Sequence, residues 1–214
     1  PADPLAERPV PRDAAHKGEL ARTHSVGGPL VVRSIDRQAA MTVLGRRARS
    51  PYNHELGLDR TDLRGARLAF ADLADSDLHY SNLADVNLEG ADLRRADLTG
   101  IWLAGSFLRD ARLHQADLRS AILWHARLEG ADLRATDLTG ADLTGAVLNG
   151  TRLDQADLRG ANLTDTDPSG ASLVGAVTDA TTIWPAGFDA AAAGAVAAGA
   201  SAPPLRPQSW FDLP

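Results

Sequence analysis

Leu58-Asp59-Arg60-Thr61-Asp62-Leu63-Arg64-Gly65-Ala66-Arg67-Leu68 opens a stretch of this 214-residue chain in which every fifth residue is leucine, twenty-two in succession, ending at Leu163. Two residues before nearly every leucine stands a small side chain, as at Thr61, Ala66, Ala71, Ser76, Ser81 and Ala91. The residue directly before the leucine is most often Asp or Asn, and glycine is frequent two residues after it. Ala141-Asp142-Leu143-Thr144-Gly145 shows the unit.

A step of five suits neither regular secondary structure. On an α-helix it turns each leucine by about 140° from the last, so the leucines spiral round every side and no apolar face forms. On a flat strand an odd step sends successive leucines to opposite faces. One shared dry interior requires the chain to turn at each pentad and wind about an axis, with the small residue and the leucine pointing inward. Repeats of fixed period are the mark of stacked units that bury a core only collectively.

The recurring A-[DN]-L-x-x unit resembles the pentapeptide repeat family over about 120 of the 214 residues. That resemblance implies an all-β fold, a right-handed quadrilateral β-helix with four pentads per coil. Spacing alone does not distinguish four sides from three. Weaker flanking units extend the array from Leu56 to Ala180, which makes 25 pentads and about six coils. At ~4.8 Å between hydrogen-bonded neighbours the rod is roughly 30 Å long.

Composition bounds the remainder. The length suits one domain with tails. Cysteine is absent, which removes disulfides, thiol nucleophiles and thiolate metal sites. No apolar run is long enough to span a bilayer, so the chain as given is expected to be soluble and cytoplasmic, or the soluble part of a longer, membrane-attached protein. Residues 1–33 carry prolines, alanines and mixed charge without period, and are expected to form a flexible leader. Residues 34–50 show an apolar stripe of Ile35, Ala39, Ala40, Met41, Val43 and Leu44, with Ser34 as N-cap and Arg46, Arg47 and Arg49 at the C-terminal end. This predicts a short capping α-helix over the lower end of the core, since bare coil edges invite other chains. The repeat domain is placed at 56–180. Pro168 and Thr178 stand where leucines are due, so regularity fails there, and Trp184 and Phe188 read as lids in a C-terminal cap over 181–200. Asp189 could start a short Ala-rich helix over 190–200, weakened by Gly194 and Gly199. Residues 201–214 are expected to be a mobile tail whose Trp210 and Phe211 dock back or onto a second subunit.

Four-fold winding, as the resemblance implies, sorts the outward positions by face. Asp77, Asp97, Asp117, Asp137 and Asp157 then form a vertical ladder of carboxylates. Neighbours at coil spacing repel by up to about 1 kcal/mol in water, so something must offset them. Either each Asp accepts a local backbone N–H, as Asx residues do, or the strip imitates a nucleic-acid backbone. Residues 58–178 carry twelve basic and nineteen acidic side chains, a net −7, whereas residues 1–57 carry nine and six, a net +3. An acidic rod repels DNA, so no direct nucleic-acid binding is expected. Some members of the family resemble duplex DNA and inhibit DNA gyrase, generally with more pronounced acidity than this chain has.

At positions where the pattern prefers Asp or Asn the chain places Trp102, Phe107, Ile122 and Val147, with Trp124 just past Leu123. A cluster of that size does not face water without reason. Either terminal segments cover it, or it anchors a protein partner or a second copy. No catalytic constellation is visible: His16, His24, His54, His79, His114 and His125 are scattered, no paired metal ligands emerge, and phosphate-cradling loops are missing. No enzyme activity, cofactor or metal is expected. The expected function is a non-enzymatic protein-interaction scaffold that holds a protein partner or its own copy through Trp102, Phe107, Ile122 and Trp124. The alternative is a DNA-mimicking modulator of a type II topoisomerase, DNA gyrase, acting through the ladder from Asp77 to Asp157.

Overall fold

The computed structural model describes residues 57–199. The expected leader over 1–33, the capping helix over 34–50 and the tail over 201–214 lie outside the described residues.

The chain turns once per pentad and returns above itself every twenty residues. Parallel bridges join Asp62 to Asn82, Asn82 to Trp102, Trp102 to Ile122, Ile122 to Asp142 and Asp142 to Asn162, and three further columns repeat the same register. Four pentads per coil is therefore a property of the hydrogen bonding.

Local bonding explains why five residues make the unit. In Ala116-Asp117-Leu118-Arg119-Ser120 the Ala116 N–H donates to the Leu113 carbonyl (2.9 Å), closing a β-turn. Asp117 N–H donates down one coil to Ala96 O (3.0 Å), and Leu118 N–H donates up one coil to Asp137 O (2.7 Å). Ser120 N–H reaches Thr139 O (2.9 Å). The fifth N–H, of Arg119, points outward, and the Asp117 side chain accepts it at 3.1 Å. Every N–H of the pentad is thus paired, as backbone in a stable structure requires. The frequent Asp or Asn before the leucine follows, because it supplies the one acceptor that the stacked backbone lacks.

The second residue after each leucine adopts a positive φ, 55° at Ser120 and 66° at Gly140, the mark of position three in a type II turn. Side chains at this corner lean along the rod axis onto the next coil. Tyr80 lies against Gly100, where an added Cβ would come within 2.4 Å of the ring, and Phe70 lies likewise over Gly90. Asp75 meets Arg95 in the same way, as an ion pair between coils.

Inside, leucines and small residues fill the prism completely. From Leu73 to Leu173 no core leucine is more than 1 % exposed. The small positions share that interior, and Val86, Ile101 and Ser106 are wholly buried there. Interior hydroxyls are satisfied by the backbone, as where Ser106 Oγ donates to Leu103 O (2.6 Å) and Thr151 Oγ1 to Leu128 O (2.8 Å).

At the upper end the pattern loosens where the sequence does. Pro168–Gly170 form a single 3-10 turn capped by Asp167, whose carboxylate accepts the Ser169 N–H. Strand β1, Val177–Thr178, pairs in parallel with β2, Val196–Ala197, the last rung of its column. Trp184 and Phe188 pack partly buried against the core with ring centroids 5.1 Å apart. The Ala-rich helix expected over 190–200 does not form. Residues 190–194 make only a turn, in which Asp189 accepts the Ala192 N–H (3.0 Å). Gly194 then turns at φ 98° so close to Val174 that an added Cβ would lie 3.3 Å from its Cα, and Val196–Ala197 is drawn into the sheet instead.

Candidate protein-interaction face

The bridge column Asp62, Asn82, Trp102, Ile122, Asp142, Asn162 contains two kinds of residue. At its ends each Asp or Asn accepts the N–H two residues on: Arg64 to Asp62 (3.3 Å), Ala84 to Asn82 (3.1 Å), Thr144 to Asp142 (3.0 Å) and Thr164 to Asn162 (3.0 Å). In the middle, Trp102 and Ile122 carry no acceptor, so the N–H groups of Ala104 and Trp124 lose that bond. A hydrogen bond of this kind is worth about 1 kcal/mol. The chain gives up two of them to put apolar side chains on the surface.

Those side chains lie one above the other in the column, with Trp124 beside them. Trp102 and Trp124 meet edge to face, with ring centroids 5.9 Å apart at 71°. Both remain 41 % exposed, while Ile122 is half-buried between its neighbours. In the adjoining column Phe107 is followed by Arg127 and then Val147. The Arg127 guanidinium sits 6.0 Å above the Phe107 ring, a cation–π distance, and Val147 is also exposed. Burial pushes the Asp142 carboxyl up, but bonds from the Thr144 hydroxyl and the Trp124 side chain outweigh it and leave it below the usual carboxylate range.

The Asp ladder occupies the neighbouring column, bridged rung to rung from Asp77 to Asp157. Each carboxylate accepts the N–H two residues on, from His79 (3.2 Å), Thr99 (3.0 Å), Arg119 (3.1 Å), Thr139 (2.9 Å) and Arg159 (3.1 Å). Arg119 and Arg159 also clasp Asp117 and Asp157 through two nitrogens each. For Asp117, burial raises the carboxyl, and the Arg119 guanidinium and N–H more than offset it, so it titrates low. Most of these charges are already engaged in fixing the turn or in a local ion pair.

One cluster goes beyond what scattered histidines suggested. His79 Nδ1 lies 2.5 Å from Asp77 Oδ1, and Asp97 one coil above completes a group whose candidate ligand atoms lie within 4.8 Å of one another. The signal was present as a step of two followed by a step of twenty. The same twenty-residue register places Phe70 and Tyr80, at 76 % and 60 % exposed, on corners one coil below Gly90 and Gly100, and Gly100 stands two residues before Trp102. His114 is separate from this cluster and bonds the Arg134 carbonyl (2.8 Å).

The family model for pentapeptide repeats matches in eight copies distributed over residues 58–95, 71–110, 96–134, 111–150 and 151–177. The chain belongs to the pentapeptide repeat family. Pentapeptide repeat proteins share a right-handed β-helix, in agreement with the four-sided bridging. Similar solved structures include HetL, a pentapeptide repeat protein involved in heterocyst differentiation regulation in the cyanobacterium Nostoc. It is 30% identical, with a TM-score of 0.39, covering 70% of this chain and 84% of its own. Rfr23 from the cyanobacterium Cyanothece is 33% identical, with a TM-score of 0.27, covering 50% of this chain and 63% of its own. QnrB1, a plasmid-mediated fluoroquinolone resistance protein, is 16% identical, with a TM-score of 0.34, covering 67% of this chain and 90% of its own. No curated protein matches the chain. Among the described residues no helix is long and apolar enough to cross a membrane.

Proposed function

We propose that this pentapeptide repeat protein is a non-enzymatic interaction scaffold that holds a protein partner, or its own copy, through the face formed by Trp102, Phe107, Ile122 and Trp124. The observation that carries this reading is the interrupted column, where two outward positions forgo a turn-fixing hydrogen bond in favour of apolar groups, exposed at Trp102 and half-buried at Ile122. Aromatic anchors ringed by polar groups are what protein-binding sites are built from. The solid leucine interior leaves only the outer walls for binding. In this reading six coils form the working surface, the segment over 34–50 closes its lower end, and the protein acts in the cytoplasm.

Trp102→Ala with Trp124→Ala tests the proposal. Light scattering on the intact chain and pull-down with the double variant as bait should show association lost while the circular dichroism of the rod is kept. Undiminished association would remove the patch from the function.

The DNA-mimic reading has the rung-to-rung register of the five aspartates in its favour. Against it stands the engagement of those carboxylates with backbone N–H groups and arginines. A supercoiling assay with DNA gyrase separates the two readings. A mimic inhibits the enzyme and loses inhibition on Asp97→Asn, Asp117→Asn and Asp137→Asn, whereas a scaffold leaves supercoiling untouched.

A further inference from the structure

The patch has a candidate occupant within the chain itself, in residues 200–214, which lie beyond the described rod. We infer that this C-terminal segment docks across the Trp102–Trp124 face through Trp210 and Phe211, so that the face is self-covered until a partner displaces the segment. The inference rests on the reading of that face as a binding surface.

Reach comes first. Ala198 N–H donates to Thr178 O (2.6 Å), so the described chain leaves the rod at its upper end, in the column beside that of Trp102. Three bridge steps, through Asp142 and Asn162, separate Ile122 from Ile183 at the top of the patch column, and a fourth reaches Trp102. At ~4.8 Å per step that is roughly 14 to 19 Å. Trp210 stands eleven residues past Gly199. At ~3.1 Å per residue in a polyproline II path the segment spans about 34 Å, enough to cross to the next face and descend.

Chemistry selects this segment. Pro203-Pro204-Leu205-Arg206-Pro207 contains a P-x-x-P spacing, and proline fixes φ for the extended path that aromatic-lined surfaces recognise at low entropic cost. Trp210 and Phe211 then supply two large apolar groups for a patch made of two Trp, a Phe and an Ile. Residues 1–56, by contrast, hold a single aromatic, Tyr52.

The four tryptophans make the test direct. In 15N-tryptophan-labelled protein, removing residues 202–214 should shift the indole N–H signals of Trp102 and Trp124 and leave Trp184 in place. Trp210→Ala with Phe211→Ala in the full chain should give the same two shifts, and a peptide of residues 201–214 added to the shortened chain should reverse them. The full-chain spectrum should not change on tenfold dilution. Trp102 and Trp124 signals that stay put on truncation overturn the inference, as do shifts that vanish on dilution, which assign the face to a second copy. Failure here is distinct from failure of the scaffold reading. If only the docking is wrong, Trp102→Ala with Trp124→Ala still abolishes partner capture while truncation leaves it unchanged; if docking is right, truncation strengthens capture several-fold.

Discussion

Two neighbouring faces of the rod use the same repeat position in opposite ways. From Asp77 to Asp157 the position holds a carboxylate on every rung, and each ties down the N–H of its own turn. One face away, Trp102 and Ile122 leave that bond unmade and present apolar surface. The regular face is explained by the needs of the fold, and the irregular face is not. In a repeat protein, departures from the unit that cost stability are where function is to be sought.

The largest effect should treat both faces alike. Leu118→Ala beneath the ladder and Leu123→Ala beneath the patch each remove a fully buried leucine from the same interior. Each should destabilise by about 2–5 kcal/mol in urea unfolding. A much smaller loss at Leu123 would mean that the two faces do not share one core.

Next in size is binding. Trp102→Ala or Trp124→Ala should weaken association by 2 kcal/mol or more, about thirtyfold, as truncation of central aromatic anchors does. Asp117→Ala and Asp137→Ala on the regular face should leave the same titration within about twofold. Equal losses from both sets would erase the contrast between the faces.

Stability should then move in opposite directions. Asp117→Ala deletes the acceptor of the Arg119 N–H and the guanidinium pair, and should cost about 1 kcal/mol. Trp102→Asn restores the missing acceptor and should gain about 0.5–1.5 kcal/mol, read in a chain ending at Ser201 so that no tail contact is lost with it.

The smallest effect depends on pH. Asp117 is held low chiefly against its own burial by Arg119, and Asp132 is held low first by the Arg134 side chain. A carboxyl with a depressed folded value stabilises above the unfolded value and loses that contribution as pH falls through the folded one. Stability should therefore decline below about pH 4, and Asp117→Asn with Asp132→Asn should flatten that part of the profile. An unchanged slope would mean that the arginine pairs do not hold these carboxylates down in solution.

Much of this architecture is legible in the leucines alone. A step of five excludes helix and flat strand, and the small residue two places earlier marks the second inward position. What spacing cannot convey is the return every twenty residues, which emerges only from the bridging of coil to coil. Everything that depends on that return was harder to see. The meeting of His79 with Asp97, and the lean of Phe70 over Gly90, join residues far apart in sequence. The Trp102, Ile122 and Trp124 patch was visible because its members break the unit. The Ala-rich stretch after Asp189 misled because helix propensity is weak beside one close approach, that of Gly194 to Val174, and one available rung at Val177.

The central claim is that the middle of the patch column trades fold stability for binding. Trp102→Asn with Ile122→Asn, made in the chain ending at Ser201, measures both sides of that trade in one protein. The account predicts a higher urea midpoint together with loss of association. A lower midpoint with association intact would contradict it.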